Sequence, residues 1–91
     1  MEERTMKTFE IVQKDCMDII ETIKTDKELR EVIGKAKEMV IDIYGNVEFM
    51  EAADIAENLQ ELTSPDTDVI FKVVSENTDG NEIKVVLTVS E

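Results

Sequence analysis

Oxygen-bearing side chains recur at alternate positions near the C-terminus, which is the spacing in this sequence that first suggests chemistry. The set is Asn77, Asp79, Asn81 and Glu82, with Asp66 and Asp68 upstream. Calcium prefers clusters of oxygen ligands, but an EF-hand loop needs a glycine after its third ligand, where Glu82 stands. Polar turns use the same residue types for backbone reasons. One hypothesis is therefore an acidic calcium-binding protein that uses the 64–68 and 75–82 loops, and the other is a plain turn.

The usual groups of an active site are scarce. The sequence has no histidine and one cysteine, Cys16, which lies in an apolar stripe and has the pattern of a small core residue. The three glycines, Gly34, Gly45 and Gly80, are too far apart for a phosphate-binding loop. We predict that the protein is not an enzyme and needs no cofactor or metal. A small enzyme with a site shared between subunits is the alternative.

Charge restricts the partners. The formal net charge is −12, from 22 acidic and 10 basic residues. Nucleic acid and anionic membrane surfaces repel such a chain, so we expect neither as a partner. A single cysteine excludes a disulfide framework, and no apolar run has the length of a membrane span or a signal peptide. We expect a cytoplasmic protein.

Hydrophobic periodicity predicts six elements in a single domain of 91 residues. These are a helix over 5–24, a short helix over 26–37, a strand over 39–44, a helix over 49–62 and strands over 68–74 and 82–90. The first helix rests on apolar steps of three and four from Phe9 to Ile23, with Thr5 as its cap. Thr25 and Glu28 form a capping-box pattern, and Asp79-Gly80 indicates a hairpin.

These elements predict a small α+β fold with a mixed three-stranded sheet in the order β-α-β-β along the chain. The helix between the first two strands makes them parallel with a right-handed crossover, and the hairpin makes the last two antiparallel neighbours. The N-terminal helix and the crossover helix would pack on one face of the sheet. That face would hold Ile41, Ile43, Val69, Phe71, Val73, Ile83, Val85 and Leu87.

The opposite face is the predicted functional surface. It would hold Val40, Asp42, Tyr44, Ile70, Lys72, Val74, Lys84, Val86 and Thr88. Five of these nine side chains are apolar or aromatic, whereas an uncovered sheet face usually alternates to polar residues. Either the short helix or a terminus covers this face, or it docks another protein or a second copy. The predicted partner-binding residues are Tyr44, Ile70, Lys72, Val74, Lys84 and Val86.

Four segments in order resemble the C-terminal subdomain of FtsZ, the tubulin-like division GTPase. They are A-K-E-M-V-I-D-I-Y-G at 36–45, M-E-A-A-D-I-A-E-N-L at 50–59, S-P-D-T-D-V-I-F-K at 64–72 and G-N-E-I-K-V-V-L-T at 80–88. The corresponding family patterns are A-K-G-V-L-V-N-I-T-G, an acidic E-A-rich helix, D-P-D-A-x-I-I-F-G and D-E-[IL]-R-V-T-V. Lys72 replaces the family's glycine after the I-F pair.

The resemblance implies a binding role. The matched segments include neither the GTPase domain nor the loop that completes GTP hydrolysis in the neighbouring FtsZ subunit, so no catalytic residue carries over. The family strand before the N-terminal helix is not evident, which would leave an unfilled sheet edge open to pairing with another chain. We therefore expect a non-catalytic protein-interaction module whose partner is itself or a tubulin-like GTPase. A stand-alone small domain whose resemblance is purely structural is the alternative.

Overall fold

A mixed sheet of four strands forms one layer of the fold. The computed structural model describes residues 6–45, 47–74 and 82–91. The strands are β1 (Met6–Gln13), β2 (Glu38–Tyr44), β3 (Asp68–Val74) and β4 (Ile83–Ser90), and their order across the sheet is β1-β4-β2-β3. The β2–β3 pair is parallel, while β4 is antiparallel to both β1 and β2. The predicted α+β class is confirmed, with one strand more than predicted.

The additional strand corrects the prediction of a helix over 5–24. Residues Met6–Gln13 form β1, and helix α1 spans only Cys16–Thr25. The side chain of Asp15 accepts a hydrogen bond from the backbone N–H of Met17 at 3.2 Å and so caps α1. The apolar steps from Phe9 mimic a helical stripe, but the alternation of Thr8 to Val12 and pairing with β4 make this segment a strand. The predicted cap, Thr5, lies outside the described residues.

Two further helices lie where they were predicted but are shorter than the predicted 26–37 and 49–62. Helix α2 spans Lys27–Gly34 and α3 spans Phe49–Gln60. The predicted cap of α2 is wrong by one residue, because the carboxylate of Asp26 accepts from the N–H of Leu29 at 3.1 Å. The Thr25 hydroxyl instead donates to the carbonyl of Glu21 at 2.9 Å, within the last turn of α1.

The prediction that the last two strands pair with each other as a hairpin is wrong. Strand β2 lies between β3 and β4, so these two strands are not neighbours. The predicted turn at Asp79-Gly80 lies outside the described residues. A local turn signal does not show whether the flanking strands pair. The fully buried inner side of β4 suits a central strand, which β4 becomes once β1 pairs with its other edge.

Helices α1, α2 and α3 share a single hydrophobic core with one face of the sheet, the inner face. Each helix contributes buried apolar residues, among them Ile19, Leu29 and Ile55. The eight residues predicted for the helix-covered face all lie in or against this core. None of the helices in the described ranges combines the length and apolar composition that crossing a bilayer requires.

Candidate docking surface

The sheet face opposite the helices, the outer face, is a grid of four rows and four strands. In the order β1, β4, β2, β3, the rows are Val12–Lys84–Tyr44–Val74, Glu10–Val86–Asp42–Lys72, Thr8–Thr88–Val40–Ile70 and Met6–Ser90–Glu38–Asp68. All sixteen except Ser90 are half-buried or exposed. The three helices therefore leave this face uncovered, which contradicts the interpretation that the short helix α2 covers it. The alternative that a terminus covers it is not tested at the N-terminus, because residues 1–5 lie outside the described ranges.

The six predicted partner-binding residues lie together on this face. Tyr44, Val74 and Lys84 share the first row, Lys72 and Val86 share the second, and Ile70 lies in the third. Ile70 is 46% exposed, although its neighbours on the inner side of β3 are partly buried. The alternation of β2, β3 and β4 thus placed these residues on one face, and their partner-binding role stays a prediction.

Sequence reasoning missed the contribution of β1. Met6, Thr8, Glu10 and Val12 extend the outer face by a fourth strand, and Val12 is 42% exposed while its neighbour Ile11 is buried. The signal was available, because residues 8–11 alternate between polar and apolar types. This strand also changes the prediction of an unfilled edge. Strand β1 occupies the second edge of β4, and the sheet ends at β1 and β3.

Apolar and charged groups are mixed on the outer face. Seven positions are apolar or aromatic, namely Met6, Val12, Val40, Tyr44, Ile70, Val74 and Val86. The two lysines are flanked by acidic side chains: the Nζ atom of Lys84 lies 3.5 Å from Oε1 of Glu10, and Lys72 lies opposite Asp42 in the register. Nζ of Lys84 also lies 6.0 Å from the ring centroid of Tyr44. The surface can therefore offer apolar contact and fixed charges of both signs to a partner.

Cys16 belongs to the core. Its side chain is buried at the start of α1, and its thiol donates to the carbonyl of Glu51 in α3 at 3.6 Å. Burial, followed by the nearby charges of Glu51, Asp54 and Asp15, raises the pKa of this thiol. The thiolate that a nucleophile requires is therefore disfavoured.

The acidic loops offer no assembled cation site in the part of the chain that the structure describes. No group of three or more cysteine, aspartate or glutamate residues in those ranges is arranged to hold a metal ion. In the 64–68 segment, the Thr67 hydroxyl donates to the carbonyl of Ala36 at 2.8 Å, and the N–H of Asp68 donates to the carbonyl of Lys37 at 3.0 Å. These bonds attach the segment to the start of β2. Of the second predicted loop, residues 75–81 lie outside the described ranges.

Comparison with known proteins shows which solved structures have a similar fold. The sequence matches no protein-family model and no curated protein. Among solved structures, it is similar to an empty FtsZ dimer from M. jannaschii, with a TM-score of 0.72 and 15% identity over 97% of this chain and 26% of that chain. A point mutant of the same FtsZ gives a TM-score of 0.71 and 15% identity over 97% of this chain and 27% of the other.

The chain resembles the C-terminal subdomain of FtsZ. It is also similar to TubZ of Bacillus thuringiensis serovar israelensis, solved as GDP-form protofilaments, with a TM-score of 0.61 and 13% identity over 96% of this chain and 25% of that chain. The chain thus spans about a quarter of the length of the solved proteins that it matches. At these identities the likeness shows the FtsZ-like fold alone.

Proposed function

We propose that the protein is a non-catalytic protein-interaction module whose outer face docks onto a tubulin-like filament protein. The outer face, which the three helices leave uncovered, carries the proposal. A sheet face that remains in water usually alternates to polar residues, yet seven of these sixteen positions are apolar or aromatic. Apolar groups grouped in this way, with charges between them, are typical of protein interfaces.

The fold supports the proposed class of partner. The solved proteins with this fold include an FtsZ dimer and TubZ protofilaments, so the fold occurs in chains that assemble with one another. A protein that has the fold of one subdomain could contact such a filament through the side that its helices leave open. We further propose that it acts in the cytoplasm and without a cofactor, since its role requires only a surface.

The proposal is tested by sedimentation of an FtsZ-type filament with and without this protein. The wild-type chain should co-sediment with the filament or change the amount of polymer. The Ile70→Glu/Val86→Glu variant should do neither, because it puts two carboxylates into the apolar part of the outer face.

A matched control uses exposed apolar residues of the helical layer. The Met17→Glu/Met50→Glu variant adds the same two charges at side chains that are 75% and 77% exposed. It should behave as wild type. No effect of excess wild-type protein on the filament would contradict the proposed partner, and equal loss in both variants would contradict the proposed face.

A further inference from the structure

We infer that the outer face is self-complementary and that a second copy of this chain covers it when the protein is alone. The inference rests on the proposed function, since it takes the outer face as a protein-binding surface. It adds that one partner of this surface is a second copy of the chain, and the evidence is the position of the charges in the grid. The grid itself is fixed by the strand register.

A two-fold axis that runs along the strands, between β4 and β2, brings two outer faces together. Such an axis places β1 of one copy opposite β3 of the other, and β4 opposite β2, with each row facing the same row. Two sheets that pack face to face keep their strands within about 30° of each other and about 10 Å apart. The strand directions that this axis produces are compatible with that packing.

The symmetry pairs opposite charges. In the second row, Glu10 of β1 faces Lys72 of the second copy, and Lys72 faces Glu10 of the second copy. Both side chains lie at the edges of the grid and are exposed, so they can extend across the gap, although Glu10 also contacts Lys84 of its own chain. A single sequence therefore supplies two equivalent ion pairs, as an isologous interface requires.

The first row also fits this arrangement. Val12 faces Val74 of the second copy, which joins two apolar edge residues. Lys84 faces Tyr44 of the second copy and lies diagonally across from its Asp42. Within one copy, Lys84 already approaches Tyr44 and Glu10, so its ammonium group has both an aromatic and an acidic partner available.

The other in-plane axis gives a poorer match. An axis perpendicular to the strands would place Lys72 opposite Ile70, Asp42 opposite Val40 and Glu38 opposite Tyr44. Each of these contacts removes a charged side chain from water without a charged partner, which costs free energy. The axis along the strands also sets three carboxylates opposite uncharged residues, Asp42 opposite Val86, Asp68 opposite Met6 and Glu38 opposite Ser90. Of the two axes, however, it alone places Glu10 opposite Lys72, and it therefore gives the better charge match.

The size of the face predicts weak association. Four strands about 4.8 Å apart and seven residues of about 3.3 Å each give a projected area of roughly 400–450 Å² per copy. With side-chain relief, two copies bury on the order of 1,000 Å², which lies at the lower end of specific interfaces. Each copy also carries a net charge of −12, so the two copies repel one another overall. The dimer should appear at high protein concentration.

Charge reversal tests the inference by sedimentation velocity of the full chain. Lys72→Glu and Glu10→Lys should each weaken self-association about tenfold or more, because each puts like charges together twice in the dimer. An equimolar mixture of the two variants should associate again, since position 10 of each variant then faces the opposite charge at position 72 of the other. Lys24→Glu on α1 is the control, with the same charge change as Lys72→Glu but outside the outer face, and should leave association unchanged.

The outcomes separate this inference from the proposed function. A wild-type chain that stays monomeric at millimolar concentration, or a mixture that stays monomeric while wild type dimerises, overturns the second copy as occupant. If the same wild-type protein still co-sediments with the filament and the Ile70→Glu/Val86→Glu variant does not, the proposed function stands alone. If Lys24→Glu weakens association as much as Lys72→Glu, net charge and not the grid controls it, and the inference also fails.

Discussion

The carboxylate of Glu10 lies 3.5 Å from the ammonium group of Lys84, across the β1–β4 pair. This contact joins β1, the strand that was not predicted, to the outer face, which was predicted. Lys84 in turn lies 6.0 Å from the centre of the Tyr44 ring, so one cation links β1, β4 and β2 on the outer face. Lys84 therefore has both an acidic and an aromatic neighbour on the outer face.

The first prediction concerns the strength of that ion pair. The side chains of Lys84 and Glu10 are 40% and 55% accessible, so water and salt screen their attraction. Glu10→Gln should lower the free energy of unfolding by less than about 1 kcal/mol, as measured by urea denaturation. A loss of several kcal/mol would show that Glu10 supports the fold, and charge reversal at this site could then not be interpreted as an interface effect.

The second prediction uses two neighbouring valines of β4. Val85 is 0% exposed in the core, and Val86 is half-buried on the outer face. Val85→Ala should lower the free energy of unfolding by about 2–3 kcal/mol, because it leaves a cavity in the core. Val86→Ala, which removes the same two methyl groups, should cost less than about 1 kcal/mol. Similar losses at the two sites would mean that the outer face is buried within a single chain.

The third prediction concerns the glycine that follows β2. Gly45 has φ = +118°, and a Cβ atom there would lie 2.6 Å from the carbonyl oxygen of Glu82. Gly45→Ala should therefore destabilise the fold by about 2 kcal/mol or more. Thermal or urea denaturation measures the change.

Gly34 provides the matched control for Gly45. It lies in the last turn of α2, where an added Cβ would meet its nearest neighbour at an ordinary 3.8 Å. Gly34→Ala should be neutral or should stabilise by up to about 1 kcal/mol. The same substitution thus has opposite expected effects at the two sites, and a tolerated Gly45→Ala would contradict the close approach of β2 to the start of β4.

The fourth prediction concerns pH and Cys16. Burial holds the pKa of the thiol above its ordinary value of 9.0, so the folded chain keeps this proton at a pH where the unfolded chain releases it. The stability that this group contributes is fully present well below pH 9 and is lost as the pH rises through the ordinary value towards the folded pKa. Cys16→Ala should therefore show a shallower loss of stability between about pH 8 and 10 than wild type.

Alkylation checks the same burial independently. Iodoacetamide should modify Cys16 far more slowly in the folded chain than in urea, because the thiol is buried and bonded to the carbonyl of Glu51. Equal alkylation rates in the folded and unfolded chains would show that the thiol is accessible.

Strands β2, β3 and β4 could be predicted from the sequence, because apolar residues recur at every second position in each of them and so mark the buried face. Alternation from Ile83 to Val89 identified the inner side of β4 and, with it, the outer side. The segment from Met6 to Gln13 was harder, since Phe9, Val12 and Cys16 fit a helical spacing and β1 is defined by its pairing with β4. The polar–apolar alternation of residues 8–11 is short and competes with that helical spacing.

Strand order was beyond local reasoning. The turn residues Asp79-Gly80 favour a hairpin, but they contain no information about the competing partner β2. The candidate surface was nevertheless predicted, because membership of a face depends on alternation and not on strand order. What sequence reasoning missed was the fourth strand and therefore the position of Glu10, which supplies the acidic half of the inferred ion pairs.

The most direct test of the outer face as a docking surface is a methyl NMR titration of the labelled chain. Chemical shifts are recorded at rising total protein concentration, and cross-saturation from an added FtsZ-type filament is then measured. We expect the methyl signals of Val12, Ile70, Val74 and Val86 to shift in the first series and to lose intensity by cross-saturation in the second, while those of Ile43, Val85 and Leu87 on the inner face change least. Outer-face signals that do not change in either series, or inner and outer signals that change alike, would contradict the docking role.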